Sequence, residues 1–289
     1  MSNNSTSHAI LNFPNYTVSS YAQSLGILFA FTSFMTIFLN GVVLITLYKY
    51  AVLHTNSNKI LASLATTDFL TGAIAPIYTI LIFDRQLVYG NAEHVLVALS
   101  HGLILVSALT MAFISIDRYM HITKLTNYQL QDRTSYVGIL VCWAIPGVTT
   151  AVGRIFNEIG DILFTIEMTF AFLVIVGFYT DLIRAVHKYT REHSHELNDN
   201  YVKNERRGAH TIIIIATCFI LMNFMIVFGP FLTYTIDRNI TKPLFHFAFF
   251  LCISNSVVNP LVYSFRTQLL KEHILKLFGR NGNIVHVAP

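Results

Sequence analysis

The chain has 289 residues, of which 54% are hydrophobic and only 12% are charged, and its mean hydropathy is +0.55. A soluble domain carries about 25% charged residues, so this composition excludes an ordinary soluble protein and indicates a membrane protein. The net charge of +4 arises from basic residues in separate short loops, which gives no indication of nucleic-acid binding. All three cysteines lie inside apolar runs and predict no disulfide framework.

The polar residues 1–21 lack the basic start and apolar core of a cleavable signal and are predicted to form an extracellular tail. A spanning helix needs about 20 mostly apolar residues, and seven later runs meet that requirement. In chain order they are Ala22–Tyr48, Lys59–Phe83, Ala92–Ile122, Thr134–Val152, Ile162–Val186, Ala209–Ile236 and Pro243–Phe265. The predicted fold is therefore all-α, with a seven-transmembrane helix bundle over residues 22–265.

Residues 266–289 are predicted to form a cytoplasmic amphipathic helix and tail. Over Arg266–Phe278, six apolar residues alternate with charged residues and a histidine at helical spacing. Because this segment directly follows a membrane span, the helix is predicted to lie in the membrane interface.

The orientation of the bundle follows from the distribution of lysine and arginine. Of the 19 basic residues, all but Arg85, Arg154, Arg238 and Lys242 fall on one side, which is predicted to be cytoplasmic. Four sequons for N-glycosylation, at Asn3, Asn4, Asn15 and Asn239, all fall on the other side. The sequence predicts a multi-pass glycoprotein of the cell membrane with an extracellular N-terminus.

The stretch Asp117-Arg118-Tyr119 closes the third apolar run and places an acidic residue beside a basic one. A charge at the bilayer centre costs about 2.5–3.5 kcal/mol, and the cost falls toward the interface. The pair is therefore predicted to lie at the cytoplasmic boundary, where the arginine is able to exchange partners. This is the form of a conformational switch.

Five polar residues from four spans fall at similar depth. A rise of 1.5 Å per helical residue puts them about 10–16 Å above the inner boundary. They are Asn40, Asp68, Ser107, Asn255 and Asn259. An unpaired carboxylate at this depth is either protonated or bound to a cation through oxygen ligands. One hypothesis is an allosteric Na⁺ held by Asp68 and Ser107; the other is a hydrated core around a neutral Asp68. No other cofactor is expected.

Prolines inside the spans predict kinks, because each removes a helical hydrogen bond. In the sixth span Phe224 and Phe228 precede Pro230, which predicts a hinge with bulky aromatic rings beside it. The alternative reading of these two residues is ordinary lipid-facing phenylalanine. In the seventh span Asn259-Pro260 precedes Tyr263 by one turn, and this tyrosine is predicted to move toward Arg118 when the helices rearrange.

These motifs together resemble those of the rhodopsin-like (class A) G-protein-coupled receptors. The resemblance spans nearly the whole chain, in the family's order and spacing. It is carried by Asn40-Gly41-Val42-Val43, Leu61-Ala62-Ser63-Leu64-Ala65-Thr66-Thr67-Asp68, Asp117-Arg118-Tyr119, Trp143 with Pro146, and Asn259-Pro260-Leu261-Val262-Tyr263. The resemblance implies a receptor that binds an extracellular ligand and activates a heterotrimeric G protein through rearrangement of helices three, six and seven.

Several positions depart from the family pattern. Phe228 replaces the usual tryptophan of the sixth span, and Glu93 stands where the third span usually has a disulfide-bonded cysteine. The outer loop over 153–161 is short and has no cysteine, and Ala171 stands near the usual proline of the fifth span. These features resemble the branch of melanocortin, cannabinoid and lysophospholipid receptors. His210 stands where many members have an acidic partner for the arginine.

The ligand stays open between a peptide, a lipid and a small molecule. Ser100 stands where amine receptors carry an aspartate, and Ile253 where opsins carry the retinal-binding lysine, so both classes are disfavoured. The candidate ligand-binding residues are Glu93, His101, Glu167, Tyr78, Phe228 and Tyr234, each of which also fits ordinary packing. Acidic groups favour a cationic or peptide ligand, whereas the 23 phenylalanines favour a lipid.

An enzyme is not expected, because an intramembrane protease needs a paired nucleophile or two facing aspartates and only Asp68 lies in mid-span. The alternative to a receptor is a membrane transporter or channel with a cation site near the midplane. Transporters often contain inverted repeats and broken helices at matching places, and the sequence contains neither signature. The partners expected are therefore a G protein, the extracellular ligand and membrane lipids.

Overall fold

A computed structural model of the chain describes residues 20–83, 91–124, 130–192, 214, 217–225, 238–266 and 268–279. Each of the seven predicted spans contains helix in these residues, and no strand occurs within the described ranges. The helices are α1 (Ser20–Lys49), α2 (Asn56–Phe83), α3 (Asn91–Lys124), α4 (Asp132–Ile155), α5 (Asn157–Glu192), α6 (217–225), α7 (Arg238–Arg266) and α8 (Gln268–Leu277). A 3₁₀ turn, Ala51–Leu53, joins α1 to α2.

Most of these helices are long enough to cross a membrane. Within the described residues, α1 to α5 each contain a stretch long and apolar enough to cross a membrane, and α7 contains the shorter apolar stretch Phe247–Val262. Large hydrophobic side chains are exposed along the outer faces, among them Phe31, Leu140 and Ile166. In a bilayer these faces contact lipid rather than water, which explains an apolar exterior that a soluble protein would not tolerate.

Helix α3 lies in the middle of the bundle. It packs against α2, α4 and α5, while α1 packs against α2 and α7. The core contains Leu64 of α2, Leu105 of α3, Met168 of α5 and Ile253 of α7, all of them almost fully buried. Polar residues on the inward faces of α2, α3 and α7 are consequently directed toward one another.

The junction of α4 and α5 corrects one prediction. The outer loop predicted over 153–161 is nearly all helix, because α4 ends at Ile155 and α5 begins at Asn157. Gly153 and Gly160 face each other across this corner, and a Cβ on Gly153 would lie 2.8 Å from the Cα of Gly160. The absence of both side chains lets the two helix ends meet this closely.

The predicted amphipathic helix after the last span is present as α8. It covers Gln268–Leu277, while Arg266 belongs to α7, and it is followed by Gly279, whose φ of +76° is a conformation that favours glycine. Its buried side includes Leu270 and His273, and the His273 ring packs edge-on against Tyr50 at 4.5 Å between centroids. The helix therefore docks on the end of α1, while its position in the membrane interface stays a prediction.

Candidate functional site

The carboxylate of Asp68 is the centre of a polar cluster inside the bundle. The side chain is fully buried (0% exposed) on α2. Its Oδ1 accepts hydrogen bonds from Ser107 Oγ at 3.2 Å and Ser256 Oγ at 2.7 Å, and its Oδ2 accepts one from Asn259 Nδ2 at 2.8 Å. One carboxylate thereby joins α2 to α3 and α7, and neutral donors replace part of the hydration that burial removes.

Asn40 extends the cluster to α1. Its Nδ2 donates to the backbone oxygen of Ser256 at 2.9 Å and to that of Thr36 at the same distance. The structure therefore brings Asn40, Asp68, Ser107 and Asn259 into one network. Ser256 was not predicted as a member, although it precedes Asn259 by three residues and so lies on the same face of α7.

A small cavity lies beside this network. Its volume is about 10 Å³, taken as the space open to the centre of a water molecule, which corresponds to about one water. It is lined by Thr71, Ile104, Ser107, Phe219, Asn223, Cys252, Asn255 and Ser256. The predicted polar residue Asn255 thus faces the cavity rather than Asp68 itself.

Two amide oxygens near the cavity are available as ligands. Among the described residues, Asn255 Oδ1 and Asn259 Oδ1 are buried without a hydrogen-bond partner. Together with the oxygens of Asp68, Ser107 and Ser256, they form a set of hard oxygen donors inside the bundle. Such a set fits water or a small hard cation.

The predicted switch residues lie at the far end of α3. Asp117 is almost fully buried (3% exposed), and Arg118 Nε lies 3.6 Å from Asp117 Oδ2. Ser57 Oγ of α2 donates to the same Oδ2 at 3.1 Å, a contact that the sequence did not predict. Tyr119 is directed elsewhere, since its ring packs edge-on against Phe178 of α5 at 5.6 Å. Asp117 therefore contacts both Arg118 and Ser57 of α2.

The outer half of the bundle contains two of the candidate ligand residues. The ring of His101 on α3 stacks on Phe164 of α5 at 4.4 Å between centroids. Glu167, half-buried one turn further along α5, accepts a hydrogen bond from Thr149 Oγ1 of α4 at 3.1 Å. The hydroxyl of Ser100 is directed back to the Leu96 carbonyl at 2.9 Å. Glu167 therefore lies at the border between α4 and α5.

The remaining predicted site residues are described less fully. Phe224 is 47% exposed and Pro260 is buried. Tyr78, Glu93, Asn239 and Tyr263 lie in helices α2, α3 and α7, with their side chains outside the described part of the molecule. Asn3, Asn4, Asn15, Phe228, Pro230 and Tyr234 lie outside the described residues altogether. The roles assigned to these positions stay predictions.

Comparison with known proteins adds an independent line of evidence. The model of the family described as "7 transmembrane receptor (rhodopsin family)" matches residues 39–161 and 150–263. Human trace amine-associated receptor 2 is 27% identical over 295 residues, covering 88% of this chain and 83% of its own length. Trace amine-associated receptor 1 of Macaca mulatta is 24% identical over 322 residues, covering 94% of each chain.

The fold is also that of a solved structure. Squid rhodopsin superimposes with a TM-score of 0.77 at 21% sequence identity, covering 92% of this chain and 87% of its own. The bundle is therefore a seven-helix bundle of the rhodopsin type, as the apolar runs predicted. The expected likeness to melanocortin, cannabinoid and lysophospholipid receptors is not tested by these comparisons and stays a prediction.

Proposed function

Because the chain belongs to the rhodopsin family of seven-transmembrane receptors, we propose that Arg118 is the residue through which it activates its G protein. The protein is a G-protein-coupled receptor of the plasma membrane and not an enzyme, and it responds to an extracellular ligand. The alternative of a transporter or channel is not supported.

One observation carries the proposal, the position of Arg118 at the end of α3. Its side chain is 22% exposed and its guanidinium lies at 3.6 Å from a buried carboxylate, longer than a hydrogen bond. At this distance the Nε of Arg118 makes no hydrogen bond to the carboxylate, so that atom loses none when the arginine moves to a better-placed partner. We infer that rearrangement of α3, α6 and α7 frees Arg118 to contact the G protein, while Ser57 continues to satisfy Asp117.

For the cluster around Asp68 we propose a regulatory role with Na⁺ as its ligand. The donors fit the ion, because the cluster contains a carboxylate, two hydroxyls and two unpartnered amide oxygens, and Ser107, Asn255 and Ser256 of this set line the small cavity. Since these groups come from α2, α3 and α7, an ion bound among them would favour the packed arrangement of the three helices. Asp68 and Ser107 are the proposed direct ligands, and Asn255 and Asn259 support them.

For the extracellular ligand we propose a cationic small molecule or a basic peptide rather than a lipid. Two relatives are named for trace amines, and an amine needs a counter-ion in its site. Ser100 supplies none from α3, whereas Glu167 supplies a half-buried carboxylate from α5. Glu167 is therefore the proposed counter-ion, with Phe164 one turn earlier on α5 and His101 of α3 stacked on that ring.

The experiment that tests the function compares wild type with Arg118→Ala at matched surface expression. Basal cAMP, calcium and G-protein dissociation are measured in cells, followed by a panel of primary amines, basic peptides and lipids. We expect the variant to lose both basal and ligand-driven G-protein signals. An amine or peptide that activates wild type is expected to lose at least tenfold in potency on Glu167→Gln, because a charged contact becomes a neutral one.

The matched control is Arg184→Ala, which removes an exposed arginine of α5 that pairs with Asp181 one turn away. An exposed pair of this kind contributes about 0.2–1 kcal/mol, so this variant is expected to signal like wild type. Undiminished signalling by Arg118→Ala would contradict the proposed switch. Activation by lipids alone would contradict the proposed ligand class and leave the switch standing.

A further inference from the structure

Helix α6 carries an amide on its inward face that the proposed function does not use. Asn223 is almost fully buried, on the same face of α6 as Phe219 four residues earlier. Its Nδ2 donates to the Phe219 carbonyl at 2.9 Å, a bond within its own helix. The side chain is therefore anchored on one side and presents its Oδ1 toward the bundle.

The Oδ1 atom of Asn223 accepts a hydrogen bond from α7. Cys252 Sγ donates to Asn223 Oδ1 at 3.0 Å, and the thiol is itself buried, at 6% exposure. Both residues line the small cavity that also borders Ser107 and Ser256, two of the donors to Asp68. A polar contact between α6 and α7 thus lies directly beside the polar cluster that joins α2, α3 and α7.

The contact favours close packing of the two helices. An amide oxygen that loses its donor inside an apolar bundle carries a desolvation penalty, so separating α6 from α7 at this level is opposed. We propose that Asn223 and Cys252 form a latch that holds α6 against α7 in the resting receptor. The inference rests on the proposed function, because its consequence is measured through the same G-protein signal.

The test measures basal G-protein signalling of latch variants at matched surface expression. Asn223→Leu and Cys252→Ala remove the acceptor and the donor, and each is expected to raise the basal signal about threefold or more. Cys252→Ser retains a donor and is expected to stay within about twofold of wild type. Because both groups serve one contact, the double variant Asn223→Leu/Cys252→Ala is expected to match the single variants rather than multiply their effects.

Cys142→Ala is the matched control, since it removes a thiol of the same 6% exposure from α4 and is expected to leave the basal signal unchanged. Basal signals at or below wild type in the Leu and Ala variants would overturn the latch. So would equal signals for Cys252→Ala and Cys252→Ser. Combining each latch variant with Arg118→Ala separates the two proposals. A raised basal signal that persists without Arg118 contradicts the proposed function. The comparison of the latch variants with wild type decides the latch alone.

Discussion

At the scale of single residues, the molecule depends on how buried polar groups find partners. Asp68 receives three neutral donors and no cationic side chain within hydrogen-bond reach among the described residues. A carboxylate kept charged in this environment needs a positive partner, and the adjoining amide oxygens are suited to bind one. The charge state of Asp68 and the occupancy of the site by an ion are therefore linked.

The Asp68→Asn variant tests this linkage. Purified wild type is expected to unfold at a higher temperature in Na⁺ than in the same concentration of K⁺, because a ligand that binds only the folded state stabilises it. Each kcal/mol of stabilisation raises the midpoint by about 2 °C for a chain somewhat longer than 250 residues. In Asp68→Asn the amide keeps the shape but not the charge, so the difference between the two salts is expected to disappear.

The control for that measurement is Asp181→Asn, which neutralises a half-exposed carboxylate on α5 and is expected to keep the Na⁺ effect. A Na⁺ effect of equal size in Asp68→Asn, or none in wild type, would contradict the ion site. The hydrated core around a neutral Asp68 would then be the better description.

Sequence reasoning found most of this cluster and missed part of it for a physical reason. Counting residues from the basic ends of the spans gave the depth of Asn40, Asp68, Ser107 and Asn259. Depth in the membrane does not show which way a side chain points from its helix, however. Ser254 and Ser256 are nearly equal in depth, yet Ser254 Oγ bonds to the Phe250 carbonyl of its own helix whereas Ser256 donates to Asp68.

At the scale of helices, the boundaries were predicted well where a membrane limits them and less well elsewhere. The outer loop between α4 and α5 was predicted because Arg154, Glu158 and Asp161 end the apolar runs. Charged residues end immersion in the bilayer, but they do not end a helix, since all three belong to α4 or α5. Only Phe156 interrupts the helical conformation at this corner.

Replacing a glycine by alanine is expected to have opposite effects on stability at two positions of α4, Gly153 at the corner and Gly147 earlier in the helix. In Gly153→Ala the new methyl group would lie 2.8 Å from the backbone of Gly160, which cannot move aside as a side chain can. Overpacking of this kind costs about 1–3 kcal/mol. Gly147→Ala meets no atom within 4 Å and gains up to about 1 kcal/mol of helix propensity. Thermal unfolding in detergent is expected to show a lower midpoint for the first variant and an equal or higher one for the second.

The same corner supplies an internal check. Gly160→Ala introduces a methyl group into the same contact from the other side and is expected to destabilise like Gly153→Ala. Midpoints for these two variants that equal the midpoint of Gly147→Ala would show that the two helix ends do not meet as described. Gly177→Ala on α5, which also meets no atom within 4 Å, serves as a second reference.

At the scale of the whole molecule, the family and the fold are established, while the direction of the chain across the membrane rests on its charges. Fifteen of the 19 lysines and arginines lie on the side of Arg118, and this bias predicts that side to be cytoplasmic. The orientation is essential to the proposed function, because a G protein is able to reach Arg118 only from the cytoplasm. The ion site and the contact between Asn223 and Cys252 do not depend on it, although the G-protein signal that reports the latch does.

Epitope tags test the orientation directly. A tag placed before Met1 is expected to be stained on intact cells, and a tag after Pro289 only once the membrane is permeabilised, because an odd number of spans puts the two ends on opposite sides. Treatment with a glycosidase is expected to increase the mobility of wild type on a gel and to have a smaller effect on Asn15→Gln, whose sequon lies in the outer tail. Staining of the C-terminal tag on intact cells would place Arg118 outside the cell and remove the basis of the switch. Correct staining without any glycan would contradict only the use of the sequons, since the charge bias sets orientation without requiring glycosylation.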